Sequence, residues 1–140
     1  MWIYQKKLEY PVNITCPDVR MAKALMAQYG GPDSELSAAM RYLTQRFSMP
    51  DDRLRATLND IGTEELAHWE MLGTMIRQCL RGASMCDIEA AGLAGYFTMH
   101  DHSVFPCDPN GVPFTASYIQ STGDPITDII DDMAADAAIM

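Results

Sequence analysis

The stretch IGTEELAHWE, from Ile61 to Glu70, places three carboxylates and one histidine in a segment with the composition of a helix. Glu65 and His68 are three residues apart, so in a helix their side chains point to the same face. That face is turned either to solvent or to the interior. The direction matters because a buried carboxylate needs a compensating charge.

The residues around this stretch predict the direction. Residues 51–82 form the clearest helical pattern in the chain, beginning just after Pro50 and ending at Gly82. A stripe with alternating steps of four and three residues runs along this helix, and such a stripe faces a neighbouring helix. All of its members except Glu65 and His68 are apolar or a thiol: Leu54, Leu58, Ile61, Glu65, His68, Leu72, Met75 and Cys79. We therefore predict that Glu65 and His68 point inward.

An inward-facing Glu–His pair at this spacing is typical of a metal site. Carboxylate and imidazole at positions i and i+3, joined by carboxylates from facing helices, are the ligands of di-iron and di-manganese bundles. Glu65 and His68 are thus candidate metal ligands, and an internal hydrogen-bonded pair is the alternative that the pattern leaves open. Glu64 and Glu70 lie off the stripe, so we expect them to be solvated.

The remaining sequence predicts an all-α domain over residues 1–140. Helices are expected from an N-cap at Asp18 to the glycine pair at residues 30–31, from residues 32–33 to about Ser48, and over residues 124–140. The long segment 83–123 is predicted to be an ordered crossover, with short strand-like pieces at VPFTASYI (residues 112–119).

The second helix offers another candidate ligand. Its expected apolar face consists of Leu36, Met40, Leu43 and Phe47. Glu35 and Tyr42 lie on an adjoining row with Ala39, so Glu35 can border the core. A first-turn acid that interacts with the helix dipole is the alternative interpretation of Glu35.

The last helix offers a further candidate. Its expected inward stripe is Ile126, Ile129, Met133, Asp136 and Met140, in which Asp136 is the polar interruption. Asp136 is therefore a candidate ligand. Asp131 and Asp132 are expected to face solvent.

The other polar residues of the sequence predict no second functional site. His100, Asp101 and His102 are expected to be ordinary loop residues, and the four cysteines reduced thiols. The net charge of −9 argues against a nucleic-acid partner. The sequence contains neither a signal peptide nor a stretch that could span a membrane, which predicts an intracellular protein.

Four segments resemble the manganese catalase family, in order and with similar spacing. They are LEYPV, AQYGGPDSELSAAMRYLTQRF, DIGTEELAHWEML and GVPFTASYIQSTGDPITDIIDDMAA. The sequence is most similar to the short CotJC-type spore-coat branch. The resemblance implies a ferritin-like four-helix bundle, disproportionation of hydrogen peroxide, and assembly into a homo-oligomer or with other spore-coat proteins.

The resemblance also implies roles for individual residues. Glu35 matches a terminal carboxylate ligand, Glu65 the carboxylate that bridges two manganese ions, and His68 a terminal imidazole. Tyr42 matches an outer-sphere tyrosine that hydrogen-bonds the Glu35-type ligand. Iron is the alternative metal, since carboxylate and imidazole donors suit both ions.

The sequence departs from the family pattern toward its end. Asp136 stands where the family has a glutamate ligand, and the family's fourth helix, with a second histidine, has no counterpart. We therefore expect a truncated bundle of about three main helices plus the crossover loop. Either the chain is a truncated product or two chains complete one bundle, and the site holds two ions, one ion or none.

Overall fold

The described part of the chain folds into five α-helices. The computed structural model describes residues 3–93 and 103–139, the last of these without its side chain. The helices are α1 (Val19–Gly30), α2 (Glu35–Gln45), α3 (Asp52–Cys79), α4 (Met85–Ala90) and α5 (Pro125–Ile139), with single turns of 3-10 helix at Arg46–Ser48 and Ala116–Tyr118. The all-α prediction is confirmed for the described part of the chain.

Short polar side chains determine where the first three helices begin. Asp18 and Asp51 accept backbone N–H groups in the first turns of α1 and α3, at 2.8 and 2.9 Å. Ser34 does the same for α2 by accepting the N–H of Ser37 at 3.2 Å. The cap at Asp18 was predicted. The predicted start of α2 at residues 32–33 is slightly early, because Ser34 supplies the cap.

Helix α3 is shared by two apolar clusters. Its C-terminal half packs with α1, α4 and the loop segments in a cluster of Ala22, Met26, Tyr29, Leu72, Ile76, Cys79, Leu80, Ile88, Leu93 and Cys107. Its N-terminal half packs with α2 in a cluster of Ala38, Tyr42, Met49 and Leu58. Glu65 and His68 lie on α3 between these clusters.

Gly62 allows α2 and α3 to approach each other one turn before Glu65. A Cβ atom at Gly62 would lie 2.9 Å from Cγ of Leu43 and 3.1 Å from Cβ of Tyr42. A side chain would therefore push the helices apart. Its absence brings the helix that carries Glu65 close to α2.

The predicted apolar face of α2 is wrong. Phe47 is 77% exposed, and the other three residues of that face are only half-buried. The buried residues of α2 are instead Ser37, Ala38, Ala39, Arg41, Tyr42 and Gln45. Two of the polar ones find partners in the crossover, since Arg41 donates to the carbonyl of Tyr118 at 3.2 Å and Gln45 to that of Gln120 at 2.9 Å.

The predicted inward stripe of α5 is also wrong. Ile126 and Met133 are 73% and 68% exposed, and Asp136 is exposed as well. Ile129 alone among the described members of the stripe packs against the cluster between α2 and α3. Met140 lies outside the described residues.

The inward side of α5 carries aspartates. Asp132, expected to face solvent, is 4% exposed and accepts a hydrogen bond from Nε2 of Gln45 at 3.1 Å. The side chain of Asp131 is half-buried and lies 3.8 Å from Nε of Arg41. Asp128 is fully buried and accepts the backbone N–H of Thr122 at 2.8 Å. These contacts overturn the expectation that Asp131 and Asp132 are surface residues.

The crossover loop is ordered by turns. Its described part contains no strand, only an isolated antiparallel bridge between Cys107 and Pro113 and the 3-10 turn at Ala116–Tyr118. The expectation of strand-like pieces at residues 112–119 is therefore wrong. The predicted loop residues His100, Asp101 and His102 lie outside the described residues.

The described chain contains four free thiols and no helix suited to crossing a membrane. Cys16 and Cys86 are exposed free thiols, while Cys79 and Cys107 are buried free thiols. Within residues 3–93 and 103–139, no helix combines the length and the apolar character that crossing a bilayer requires.

Candidate metal centre

Glu35, Glu65 and His68 meet where α2 lies against α3, and we call them the inner group. Nδ1 of His68 lies 3.1 Å from Oε2 of Glu65 and 3.5 Å from Oε2 of Glu35. One donor atom from each residue lies within 4.8 Å of the other two. The side chains of Glu35, Glu65 and His68 are 17%, 15% and 35% exposed, so the group is partly shielded from solvent.

Helices α2 and α3 carry the side chains of the inner group. Glu35 is the first residue of α2, directly after the Ser34 cap, and this cap fixes where the carboxylate leaves the helix. Glu65 and His68 lie one turn apart on α3. The sequence stripe predicted that Glu65 and His68 turn away from bulk solvent, and their partial burial agrees with that direction.

The inner group contains more carboxyl groups than basic groups, and its pKa values are shifted upward. Burial, a hydrogen bond with Glu65 and repulsion from its charge raise the pKa of Glu35 to about 8, against an opposing effect of His68. Burial by itself would lower the pKa of His68, but the hydrogen bond with Glu65 and the charges of Glu35, Glu65 and Glu9 raise it. The site therefore retains protons near neutral pH.

These residues fit a divalent metal ion. Burial and the neighbouring Glu65 carboxylate keep the Glu35 carboxyl protonated to about pH 8, and a bound cation would stabilise both carboxylates in their charged form. Carboxylate oxygens with one imidazole suit manganese or iron. Three donors can hold one ion, with solvent or further ligands completing its coordination.

Tyr42 does not make the hydrogen bond that the resemblance implied. Its hydroxyl donates to Oδ2 of Asp136 at 2.7 Å instead of to Glu35. Burial raises the pKa of Tyr42 well above its usual value, and the hydrogen bond to Asp136 and the negative charges of Asp136, Asp132 and Glu65 add to this effect. Tyr42 is thus a neutral donor whose ring lies within the field of Glu65.

Asp136 is not brought to the inner group. Two groups of metal-capable side chains occur among the described residues, and neither includes Asp136. Its carboxylate is exposed and engaged with Tyr42. An aspartate is one methylene shorter than a glutamate, which limits its reach from α5. The role of Asp136 as a ligand stays a prediction.

A second group of donors was missed in the sequence. Glu9, Glu64 and His68 each offer a donor atom within 4.8 Å of the other two, and we call them the outer group. The one-turn spacing of Glu64 and His68 could have identified these two donors from the sequence. Nothing in the residues around Glu9 identifies it as a third donor. Glu64 is exposed as expected, whereas Glu70 is half-buried and accepts a hydrogen bond from the Tyr4 hydroxyl.

Half-buried carboxylates around an imidazole on packed helices form a donor set of the kind found in carboxylate–histidine metal sites of helical bundles. The family model for manganese containing catalase matches residues 1–139. The chain therefore belongs to the manganese-containing catalase family, as the sequence resemblance predicted.

Individual relatives agree with this assignment. Protein CotJC of Bacillus subtilis (strain 168) is 48% identical over 136 residues, which cover 97% of this chain and 71% of that protein. A probable manganese catalase of Clostridium acetobutylicum is 32% identical over 126 residues, covering 89% of this chain and 56% of that protein. The chain thus spans little more than half of this catalase relative.

The comparison of folds also agrees with the assignment to this family. The crystal structure of KatB, a manganese catalase from Anabaena, matches with a TM-score of 0.86 and 32% identity, covering 99% of this chain and 62% of the KatB chain. The predicted ferritin-like helical fold of the manganese catalases is thereby confirmed. The match leaves more than a third of the KatB chain without a counterpart here.

Proposed function

We propose that this protein binds manganese at Glu35, Glu65 and His68 and disproportionates hydrogen peroxide to water and oxygen. The observation that carries the proposal is the convergence of these three donors within 4.8 Å in a chain of the manganese-containing catalase family. The chain covers 62% of KatB, so the activity of the longer relative comes to this chain only as part of the proposal.

Each residue of the inner group has a distinct task. Manganese, when bound, supplies one-electron chemistry between Mn(II) and Mn(III). Glu65 and Glu35 would hold the ion through their carboxylates, for which Glu35 would have to give up its proton. His68 would bind through Nδ1, which would leave its proton on Nε2. A second ion needs donors beyond these three.

Tyr42 and Asp136 are assigned to proton movement. Peroxide disproportionation takes up and releases protons in its two halves, so the site needs a route to solvent. The Tyr42 hydroxyl lies in the field of Glu65 and hydrogen-bonds the exposed Asp136 at 2.7 Å.

Oxygen release from peroxide tests this function. The protein is loaded with Mn²⁺, freed of excess ion, and measured with an oxygen electrode. We expect Glu65→Ala to lose both bound manganese and oxygen release, since it removes the central carboxylate. Glu89→Ala, an exposed glutamate on α4, is the matched control and keeps both. Oxygen release that is unaffected by Glu65→Ala would refute the proposed site.

A structural component of a spore coat, with a partial metal site and little catalysis, is the second candidate. It is favoured by the 48% identity to CotJC along 97% of this chain and by the engagement of Asp136 with Tyr42. In this case the partners are copies of this chain or other coat proteins. Metal-free protein that still self-assembles would support this function, and stoichiometric metal with rapid turnover would count against it.

The metal itself is tested by elemental analysis. We expect manganese in protein produced with manganese and iron supplied together. Stoichiometric iron instead would redirect the proposal to a di-iron oxidase or peroxidase, because the donors of the inner group suit both ions.

A further inference from the structure

Arg41 is a buried cation on α2 that contacts three other parts of the chain. Its side chain is 8% exposed, and Nη2 donates to the carbonyl of Tyr118 in the crossover at 3.2 Å. Nε lies 3.8 Å from Oδ2 of Asp131 on α5. In the turn that precedes α2, Nη2 donates to Oδ1 of Asp33 at 3.4 Å and to the carbonyl of Pro32 at 3.5 Å. The guanidinium group therefore ties α2 to its own N-terminal turn.

The turn before α2 determines where Glu35 leaves the helix. Glu35 is the first residue of α2 and directly follows Ser34, which is fully buried. Ser34 accepts the N–H of Ser37 with Oγ at 3.2 Å and the N–H of Ala38 with its carbonyl at 2.8 Å. Arg41 contacts the two residues immediately before Ser34. The cap and the guanidinium group thus hold the same turn, and Glu35 has little freedom to shift.

Glu35 is the donor of the inner group that does not come from α3. Its Oε2 lies 3.5 Å from Nδ1 of His68, so this carboxylate has to reach from one helix to the other. Metal ligands must be held within about 0.5 Å of their productive geometry, and neighbouring residues supply this support through packing and hydrogen bonds. A shift of the turn before α2 would displace Glu35 relative to Glu65 and His68, which share one helix.

We infer that Arg41 is a positioning residue of the inner group, because it fixes the turn from which Glu35 extends. Among the described contacts, Arg41 touches none of the three donors, so it acts on the site through this turn. Arginine suits the task because its planar group presents several donors at once, whereas lysine presents a single point charge. The effect on metal binding rests on the proposed function, whereas the hold of Arg41 on the turn does not.

Gln45 provides a matched control for the structural effect of losing Arg41. It lies one turn further along α2, is fully buried, and also bonds to the crossover and to α5. Nε2 of Gln45 donates to the carbonyl of Gln120 at 2.9 Å and to Oδ1 of Asp132 at 3.1 Å. Among the described contacts, Gln45 makes none with residues 31–34. Methionine at either position removes contacts with the crossover and α5, but only Arg41→Met also frees the turn before α2.

Calorimetric titration of metal-free protein with Mn²⁺, with thermal unfolding in parallel, tests the positioning role. We expect both methionine variants to melt below the wild type. Arg41→Met should bind Mn²⁺ about tenfold more weakly, Arg41→Lys should bind with intermediate affinity, and Gln45→Met should stay within about twofold of the wild type. Equal weakening in Arg41→Met and Gln45→Met, or unchanged binding in both Arg41 variants, would overturn the inference. If Arg41→Met fails to fold, Arg41→Lys carries the comparison.

Hydrogen exchange in the metal-free protein tests the hold on the turn without a metal. The amides of Ser37 and Ala38 are bonded to Ser34, so their exchange rates report whether the turn stays closed. We expect both amides to exchange roughly fivefold faster in Arg41→Lys than in the wild type, and at close to the wild-type rate in Gln45→Met. Equal rates in all three proteins would overturn the inference. If the wild type binds no Mn²⁺, the proposed function fails, and faster exchange confined to Arg41→Lys would still support the hold of Arg41 on the turn.

Discussion

The hydroxyl of Tyr42 donates a 2.7 Å hydrogen bond to Asp136 and so connects α2 to α5. Tyr42 is only 5% exposed and belongs to the apolar cluster of α2 and α3. Asp136 reaches it from an exposed position on α5. This contact thus couples the position of α5 to the helix that begins with Glu35.

Replacing Tyr42 with phenylalanine should weaken the docking of α5. The substitution keeps the ring and removes the donor to a charged acceptor, so we expect a loss of about 1–2 kcal/mol in the free energy of unfolding, measured with urea. Tyr118→Phe is the control, because no hydrogen bond of its hydroxyl is found among the described contacts. Equal losses in the two variants would show that the Tyr42 contact adds nothing to stability.

The sequence predicted α3 well because one apolar period runs through it. The two polar interruptions of that stripe, Glu65 and His68, are partly buried in the structure, and the helix spans Asp52–Cys79 as the flanking proline and glycine indicated. A long helix that contacts other helices along its length carries this signal in its own residues. The local pattern of the second helix also marked Glu35 as a candidate ligand bordering the core, and the family resemblance assigned it the role of a terminal ligand.

The inward faces of α2 and α5 were predicted wrongly for one shared reason. Both bury polar residues, among them Arg41, Gln45 and Asp132. Their partners include the backbone carbonyls of Tyr118 and Gln120, in the crossover. The path of such a loop depends on tertiary contacts, so a rule that places apolar residues inward cannot anticipate it.

Replacing Asp132 with asparagine should stabilise the protein at neutral pH. Burial, with repulsion from Asp131 and Asp136, raises the pKa of Asp132 to about 6, despite the hydrogen bond from Gln45 and the charge of Arg41. Between about pH 4 and 6 the folded chain therefore binds more protons than the unfolded chain, and this contribution to stability is lost as the pH rises through 6. Asparagine has no carboxyl group to ionise, so the variant does not lose this stability as the pH rises. Its Oδ1 can still accept the hydrogen bond from Gln45.

The measurement for Asp132 is thermal unfolding of wild type and Asp132→Asn at pH 4.5 and 7.5. We expect the melting temperature of the variant to exceed that of the wild type more at pH 7.5 than at pH 4.5. Asp60→Asn, an exposed position on α3, should show a smaller dependence. A larger advantage of Asp132→Asn at the lower pH would contradict the raised pKa.

Gly30→Ala should displace the loop that packs on α1. A Cβ atom at Gly30 would lie 2.2 Å from the backbone nitrogen of Cys107 and 2.5 Å from the carbonyl carbon of Pro106. Backbone atoms cannot rotate away, so we expect a loss of at least about 3 kcal/mol. Gly82→Ala is the comparison: Gly82 has φ of 81° and open space around it, so strain there costs about 1 kcal/mol.

Thiol labelling reports this displacement locally. In the wild type we expect the two exposed cysteines, Cys16 and Cys86, to react quickly. Burial and the charge of Asp108 raise the pKa of Cys107 to about 12, which keeps it unreactive. Gly30→Ala should make Cys107 a third fast-reacting thiol. Labelling of Gly30→Ala that matches the wild type would show that the loop tolerates the added methyl group.

Manganese binding should release protons and strengthen as the pH rises. Burial and the neighbouring Glu65 raise the pKa of Glu35 to about 8, so below pH 8 an incoming cation must displace a proton from the carboxyl. Each such proton lowers the apparent affinity by up to about tenfold per pH unit below that value. The folding stability of the metal-free protein depends on pH in the opposite direction. The raised pKa of Glu35 favours the folded state at low pH, and this contribution to stability is lost as the pH rises through 8.

Calorimetry of Mn²⁺ binding in two buffers of different ionisation enthalpy measures the proton release. At pH 6.5 we expect about one proton from Glu35 per ion, with any protonated His68 adding to it, and markedly less at pH 8.5. Glu35→Gln should bind Mn²⁺ more weakly and release correspondingly fewer protons at pH 6.5, because its amide has no proton to give up. Binding that is equally tight at pH 6.5 and 8.5, without proton release, would mean that the ion does not enter between Glu35 and Glu65.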